Sequence, residues 1–572
     1  MSKTALAVNG LARLYPYEVQ TSEQLVDSLA FVKWPFDPET LVRAGYGAGI
    51  VTLLALLLPV LAGLVTPLFG VFALLLAVGT INGVHTAPVL AAAFRRTEAL
   101  GDTPNLVGRA VLRMQIQPAT ETAIRFAADT GYGPLAESLG AHIDQAMGTP
   151  RTGLIAFAED WAEDFPALRR SAHLLATAED APEAERARTL DRSLDAILNG
   201  TREQMAEFTN TIQSPTTALY AFGVMLPMAL VALVPAVSLA GFNVSIVFFV
   251  LIYNLFLPVG LVAASVWLLV RRPVAFPPPD IDRTHEDVPN RIWWPLALGA
   301  VFGGGAAAAT YFVGPRYLAP IAGIGLSVGT ALLTFFQPIM EVRRYVKSVE
   351  EHLTDALYLV GRQVSEGQAV ESAIDHAGDR VPGETGEVFE QAAGLQRRLH
   401  VSVDEAFFGE YGALNGIPSP RARGTASLLA VAADEGQPAG RAIVSMADHL
   451  EELQEVENEA KRQLSMVTGT LDNTAAYFGP MVAGSTVALA EGMVGSGGFD
   501  AAGEMAADPL PIDQLGLVVG AYVVLMSVIL TTLSIGLRHG LDRSLVGYHV
   551  GRSLVSSTPL YVLAVFFVGM IM

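Results

Sequence analysis

Nine apolar runs, each close to the length that crosses a bilayer, constrain this chain more than anything else in its sequence. Crossing the hydrocarbon core takes roughly 20 residues of helix. The first run, GYGAGIVTLLALLLPVLAGLV, extends from Gly45 to Val65, and a second covers 67–94 after a tight join. Others fit 217–239, 244–270, 294–313, 317–338, 474–491, 514–537 and 553–571. A backbone in lipid has to satisfy its own hydrogen bonds, so runs of this kind read as helices. Composition agrees: 51% of residues are hydrophobic, and 16% are charged against roughly 25% in soluble proteins. The expected fold class is therefore all-α, a polytopic membrane protein with about nine transmembrane helices.

Basic residues set the expected orientation, because they favour the cytoplasmic side. Arg95 and Arg96 follow the second run. Arg271, Arg272, Arg283 and Arg291 lie between the fourth and fifth, and Arg343, Arg344 and Lys347 follow the sixth. Arg538, Arg543 and Arg552 lie between the eighth and ninth. A cytoplasmic N-terminus puts all of these on one side and leaves Arg316 as the clear exception. The loop 492–513 falls outside, carrying Asp500, Glu504, Asp508 and Asp513 with no Lys or Arg. An odd number of spans puts the C-terminus outside. The polar first 40 residues show no cleavable signal, so insertion is expected to rely on the first span.

The spans carry little chemistry. No Asp, Glu, Lys or Arg falls in their interiors, and His85 is the one ionisable exception. Ion-coupled pumps usually need buried carboxylates or paired charges. Pro59, Pro227, Pro235 and Pro258 read as kinks or packing notches. The sequon Asn243-Val244-Ser245 sits in a very short outer loop, where glycosylation is not expected.

Two long polar regions remain, 95–216 and 339–473, and both have helical periodicity. Leu194, Ile197, Met205 and Phe208 recur at helical steps in the first. Leu450, Leu453, Val456, Ala460, Leu464 and Val467 do so in the second. The two regions also share segments. ETAI at Glu121 matches ESAI at Glu371. LLATAED, Leu174 to Asp180, matches LLAVAAD, Leu428 to Asp434. TNTI at Thr209 matches TGTL at Thr468. Tyr220, Phe222 and Gly223 match Tyr477, Phe478 and Gly479. Several short matches in the same order point to an internal duplication. The Leu and Ala positions of the copied segment are expected to pack, with Asp180 and Asp434 facing outward.

Active-site patterns are missing. There is no phosphate-binding loop, no HExxH and no G-x-S-x-G, and none of the ten His residues forms a local metal-binding pair. The chain has no Cys, which removes disulfides and thiolate sites. DEGQPAG at 434–440 reads as a helix break. The formal net charge of -20 argues against a nucleic-acid partner, which needs clustered cations. No enzyme activity, cofactor or metal is expected.

A helical cytoplasmic domain followed by membrane helices, present twice, resembles the F domain of type II secretion systems. LVGRQVSEGQAVESAIDHAG, Leu359 to Gly378, is similar to that family's first-helix pattern, with Gly367 and Ala373 at the matching places. LLAVAADEGQPAGRAIVSMADHLEEL, Leu428 to Leu453, resembles its later helix pair. The first copy departs more. Met114 and Gln115 stand where Gly is expected, and Pro182 interrupts the second pattern. The architecture and acidity resemble archaeal, haloarchaeal-like platform proteins of type IV pili and the archaellum. The resemblance implies a non-enzymatic membrane platform in the cell membrane. It would anchor a cytoplasmic hexameric secretion ATPase and couple it to the assembly of pilin or archaellin subunits. Pilus and archaellum stay open, as does a homodimer. A transporter or channel with cytoplasmic regulatory domains is the alternative, and it would need a polar path through the spans.

On this reading the chain divides into a cytoplasmic segment 1–44, a membrane hairpin 45–94, a first F-type domain 95–216 and a hairpin 217–270. A linker 271–293, a hairpin 294–338, a second F-type domain 339–473 and three membrane helices in 474–572 complete it. Charged helix faces are the candidate ATPase contacts. They are Arg343, Arg344 and Lys347 after the sixth span, the run Glu451, Glu452 and Glu455, and in the first domain Arg169, Arg170 and Asp180. Charge of this kind steers a partner and sets register more than it adds affinity.

Overall fold

The structure is a computed structural model. It describes residues 3–61, 68–131, 133–146, 150–240, 245–273, 279, 281, 283, 285, 287–289, 292–435, 439–495 and 511–571. Asn243, most of the acidic loop 492–513 and the centre of DEGQPAG lie outside these. The described chain is α-helical, with two compact units, 1–98 and 99–572.

The first unit holds α1 (Lys3–Ala12), α2 (Glu23–Val32), α3 (Pro38–Leu61) and most of α4 (Leu68–Gly101). Ser22 caps α2 by accepting from the Leu25 N–H at 3.2 Å. Such a cap satisfies a donor that the first helical turn leaves open. Leu25, Leu29, Leu41 and Val42 form a small core. Gly47 lets α1 approach, since a Cβ there would overlap the Leu11 carbonyl. His85 is half-buried and its Nε2 lies 3.0 Å from the Val42 carbonyl oxygen, so its polarity is spent on backbone.

The second unit begins with six helices: α5 (Thr103–Ile116), α6 (Thr120–Thr130), α7 (Gly133–Gln145), α8 (Pro150–Asp160), α9 (Pro166–Ala178) and α10 (Glu183–Tyr220). The last continues through a π-helical turn, π1 (Ala221–Met225), into α11 (Leu226–Leu239). Then come α12 (Ile246–Leu251), a turn π2 (Ile252–Phe256), α13 (Leu257–Val270), α14 (Trp293–Val313) and α15 (Leu318–Glu351). Six more helices follow: α16 (Leu353–Ser365), α17 (Val370–Arg380), α18 (Gly383–Leu399), α19 (Val403–Phe408), α20 (Pro420–Glu435) and α21 (Ala439–Asn473). A third turn, π3 (Thr474–Phe478), leads to α22 (Gly479–Gly495), and the chain closes with α23 (Ile512–His539) and α24 (Arg543–Ile571).

The element boundaries recur at nearly constant spacing. Helices α4 and α15 are both 34 residues long, start at 68 and 318, and contain Pro88 and Pro338. Helices α16, α17 and α18 start at 353, 370 and 383, each 250 residues after α5, α6 and α7 at 103, 120 and 133. Gly133 and Gly383 open their helices with φ of 84° and 71°, a conformation that Gly adopts at least cost. The turns π1 and π3 start at 221 and 474, which is 253 apart. LLATAED and LLAVAAD, 254 apart, each begin eight residues after the start of α9 and α20. The TNTI and TGTL pair is 259 apart and does not keep this register. TNTI ends eight residues short of the α10 end and TGTL only two short of the α21 end. The Tyr-Phe-Gly pair, 256–257 apart, also misses it.

Among the described residues eight helices are long and apolar enough to cross a membrane: 38–58, 73–116, 185–238, 246–270, 293–313, 318–365, 512–539 and 543–571. They overlap eight of the nine expected spans. The ninth, 474–491, falls on π3 and α22, whose 17 residues include Gly and Ser and carry Glu491. This helix packs against α11, α23 and α24 and buries Ala483, Val487, Ala488 and Ala490.

The three π-turns among the described residues stand just before a proline: Pro227, Pro258 and Pro480 each follow the residue that closes the turn. In an α-helix a proline ring collides with the carbonyl four residues earlier and supplies no N–H. Widening the turn to an i→i+5 bond relieves the collision. Leu226, Leu257 and Gly479 donate those bonds to Ala221, Ile252 and Thr474. Of the prolines expected as kinks, Pro227 and Pro258 act this way, whereas Pro235 lies inside regular α11. The side chain of Pro59 is outside the description.

Candidate functional site: charged faces and the junction of the helical regions

The amphipathic pattern of α10 and α21 is realised as packing. Leu194, Ile197, Met205 and Phe208 are buried, as are Leu450, Leu453, Val456, Ala460 and Leu464, while Val467 is half-buried. In the copied segments Leu175, Ala176 and Ala178 are buried, as are Leu428, Leu429, Ala430 and Ala432. Asp180 and Asp434 are exposed. Ala123, Ile124 and Ala127 on α6, and Ala373, Ile374 and Ala377 on α17, are fully buried, with Glu121 and Glu371 exposed beside them. Gly367, at φ 95°, turns the chain between α16 and α17. Counting six residues back from Ala123, as from Ala373 to Gly367, reaches Gln117. Gln117 is extended at φ -129°. By this spacing Gln117, rather than Met114 or Gln115, is the residue that corresponds to Gly367. Met114 is a fully buried core residue of α5.

The three basic residues after the sixth span do not form one surface. Arg343 is buried, with side-chain exposure of 6%, and grips Asp542, itself 15% exposed. Its Nη1 and Nη2 donate to the two carboxylate oxygens at 2.9 and 2.8 Å, the bidentate fork that suits Arg. Asp542 also accepts from the Leu545 N–H at 2.7 Å, capping α24. Burial, the largest single influence, would raise the Asp542 pKa, but the Arg343 hydrogen bonds and charge together with the Leu545 and Ser544 N–H groups outweigh it and hold the carboxyl below its usual range. Arg344 and Lys347 are exposed and three residues apart on α15. Arg344 lies 3.7 Å from Glu341 in a solvent-facing pair.

The acidic run of α21 is exposed at Glu451, Glu452 and Glu455. Tyr358 of α16 donates to Asp448 at 2.5 Å and to Glu451 at 3.1 Å. Glu455 reaches Arg202 of α10 at 3.8 Å. Partial burial and then the neighbouring Asp195 push the Glu452 carboxyl up. Glu457 and Glu459 serve the fold instead. Glu457 pairs with Arg421 at 2.5 Å and Glu459 with Arg462 at 2.7 Å. In the first region Arg169 pairs with Glu159 at 2.8 Å, and Arg170 is exposed.

The two helical regions meet through α5, α10, α20 and α21. Gln115 donates to Ser445 at 3.1 Å. His449 lies fully enclosed against α5, where a Cβ on Gly108 would overlap its ring. Burial is the main cause that pushes its imidazole down to about 4, and the Arg421 charge adds to it. Beside it Arg421 joins Glu350 and Glu457 at 3.6 and 2.5 Å. Ser419 donates to Glu350 at 2.5 Å. Arg109 reaches the Pro420 carbonyl at 3.4 Å, against the bare Cα of Gly424. Sequence reading did not single out His449, Arg421 or Asp542. A His on the buried stripe of α21, at the step before Leu450 and Leu453, was the available signal for the first.

Small apolar cavities, each with room for about one water molecule, lie in the centres of the helical regions. One is walled by Leu353, Phe389 and Phe407, the other by Leu106, Ile124 and Phe157. Among the described residues no three His, Asp or Glu side chains converge as metal ligands. No protein-family model matches the chain, and no curated protein and no solved structure matches it.

Proposed function

We infer that this multi-pass membrane protein is a platform for filament assembly. On this reading the helical regions 95–216 and 339–473 are duplicated F-type domains facing the cytoplasm. They receive a hexameric secretion ATPase, and the membrane helices pass its motion to pilin or archaellin subunits. The near-constant spacing of element starts, 250 to 256 residues, supports the duplication. With α22 as a ninth crossing the N-terminus is cytoplasmic and the C-terminus external, in keeping with the basic residues.

One observation carries the reading. Each helical region leaves through a single long helix, α10 of 38 residues and α21 of 35 residues, that continues through a π-turn into an apolar helix. At 1.5 Å per residue these rods are roughly 50 Å long. Displacement of a cytoplasmic region therefore has a stiff path into the membrane, with no catalytic group needed in this chain.

The test is co-purification of the full-length protein with the secretion ATPase of the same cell across a salt series. Arg344→Glu with Lys347→Glu should lower the ATPase yield at unchanged membrane level of the platform. Wild-type yield at every salt concentration removes that face, and the contact then shifts to Arg169, Arg170 and Asp180. Wild-type yield after reversal of the Glu451, Glu452 and Glu455 face and of that first-domain face as well contradicts an ATPase docked through charge.

A further inference from the structure

We propose that α23 is a strut that couples the two long helices, by donating side-chain hydroxyls into the proline-widened turns π1 and π3. The inference rests on the platform reading only for its purpose, since the coupling is a property of the membrane helices themselves.

A carbonyl that loses its helical donor to a proline needs another partner when lipid or apolar side chains surround it. In π1 the residue four beyond Gly223 is Pro227, which has no N–H. Tyr522 of α23 donates its hydroxyl to the Gly223 carbonyl. In π3 the N–H four beyond Ala475 belongs to Gly479 and goes to Thr474 instead, while the next residue is Pro480. Ser527 of α23 donates to the Ala475 carbonyl at 2.8 Å. Tyr522 and Ser527 are both fully buried. Five residues of α-helix turn about 140°, so one helix serves π1 and π3 from nearly opposite faces. Helix α23 is also the most enclosed of the eight candidate spans.

Both attachments are reinforced. On the π1 side, Tyr253 within π2 donates to the Pro227 carbonyl and meets the Tyr522 ring edge to face, centroids 5.5 Å apart. On the π3 side, Arg538 donates to Thr468 at 2.6 Å and to Asp472 at 2.7 Å on α21. A widened turn is where a long helix bends with least loss of backbone bonds. A shift of α21 at π3 therefore pulls on Ser527, moves α23, and reaches π1 through Tyr522.

Amide hydrogen exchange on the full-length protein in lipid nanodiscs tests this. Ser527→Ala removes one hydroxyl at π3. It should accelerate exchange about fivefold, the equivalent of one ordinary hydrogen bond, at 474–484 and also across the strut at 221–231. Tyr522→Phe should do the reverse, loosening 474–484 as well as its own turn. Ser527→Thr, which keeps a hydroxyl, should restore protection in both segments. Acceleration confined to the mutated side makes the hydroxyls local caps and overturns the proposal. No acceleration at either side overturns it too. Equal acceleration in α14, which packs chiefly on α15, is global loosening and also overturns it. None of these readouts involves filaments or an ATPase, so the platform reading and the coupling fail separately.

Discussion

Arg343→Met should destabilise the protein without weakening any partner contact. The substitution keeps an unbranched apolar stem but leaves the Asp542 carboxylate facing a site where a guanidinium had offered two hydrogen bonds. Removing one member of a buried ion pair costs roughly 3–5 kcal/mol. Asp542 keeps the Leu545 N–H and some solvent access, so the cost should fall near the lower end, about 3 kcal/mol. That corresponds to a drop of roughly 2–3 °C in the thermal transition of a chain this long, readable by fluorescence-detected size exclusion after heating. Arg343→Met with Asp542→Asn removes both charges while retaining an acceptor for the α24 cap, and should recover most of the loss. Arg344→Glu, on the exposed side of the same helix, should change stability by no more than about 0.5 kcal/mol. An Arg343→Met protein as stable as wild type refutes the reasoning. So does a double variant that costs the sum of the two singles, because the penalty would then not come from an unpaired charge.

Four further outcomes follow from the helical regions and from Asp542. His449 is held down at about 4, so the unfolded chain binds its proton first on acidification. Stability should be full above pH 6.5 and fall by about 3 kcal/mol as pH drops from 6.5 to 4. His449→Leu should flatten that part of the profile in thermal scans, and an unchanged slope rejects the assignment. The depressed Asp542 pKa acts at lower pH, with its stabilisation present above the ordinary Asp value and lost as pH falls through the folded value. Gly108→Ala should cost about 1–3 kcal/mol by driving a methyl into the His449 ring, and His449→Ala in the same chain should relieve it. Gly367→Ala should cost about 1 kcal/mol because φ is 95° there, whereas Gly469→Ala, with open space in mid-helix, should be neutral or stabilising; circular-dichroism melts compare them.

Apolar run length made most of the membrane architecture legible, because length and hydropathy alone decide whether a helix spans. The expected span at 474–491 is the instructive exception. Its Gly, Ser and Glu491 weaken the apolar signal, so α22 is not among the eight helices long and apolar enough to cross, although one face of it packs on α11, α23 and α24. Helical periodicity likewise placed the buried faces of α10 and α21, since the same 3.6-residue step governs both pattern and packing. Short-segment matching fared unevenly. ETAI with ESAI and LLATAED with LLAVAAD lie at equivalent places in their helices, while TNTI with TGTL does not keep the register. The prolines were visible, but only the structure separates Pro227 and Pro258, which widen a turn, from Pro235, which does not. Charge was the least legible property. Arg343, Arg344 and Lys347 look alike in sequence, yet Arg343 is buried on an acceptor 199 residues away. Long-range pairing of that kind leaves no local trace.

The central claim is that the chain is a platform for filament assembly. The most direct measurement is deletion of its gene, with surface filaments counted by electron microscopy before and after restoring the wild-type copy. The account predicts loss of one class of filament, with its pilin or archaellin still made and held in the membrane, and full recovery on complementation. Filaments of every class at normal number and length in the deletion strain would contradict it.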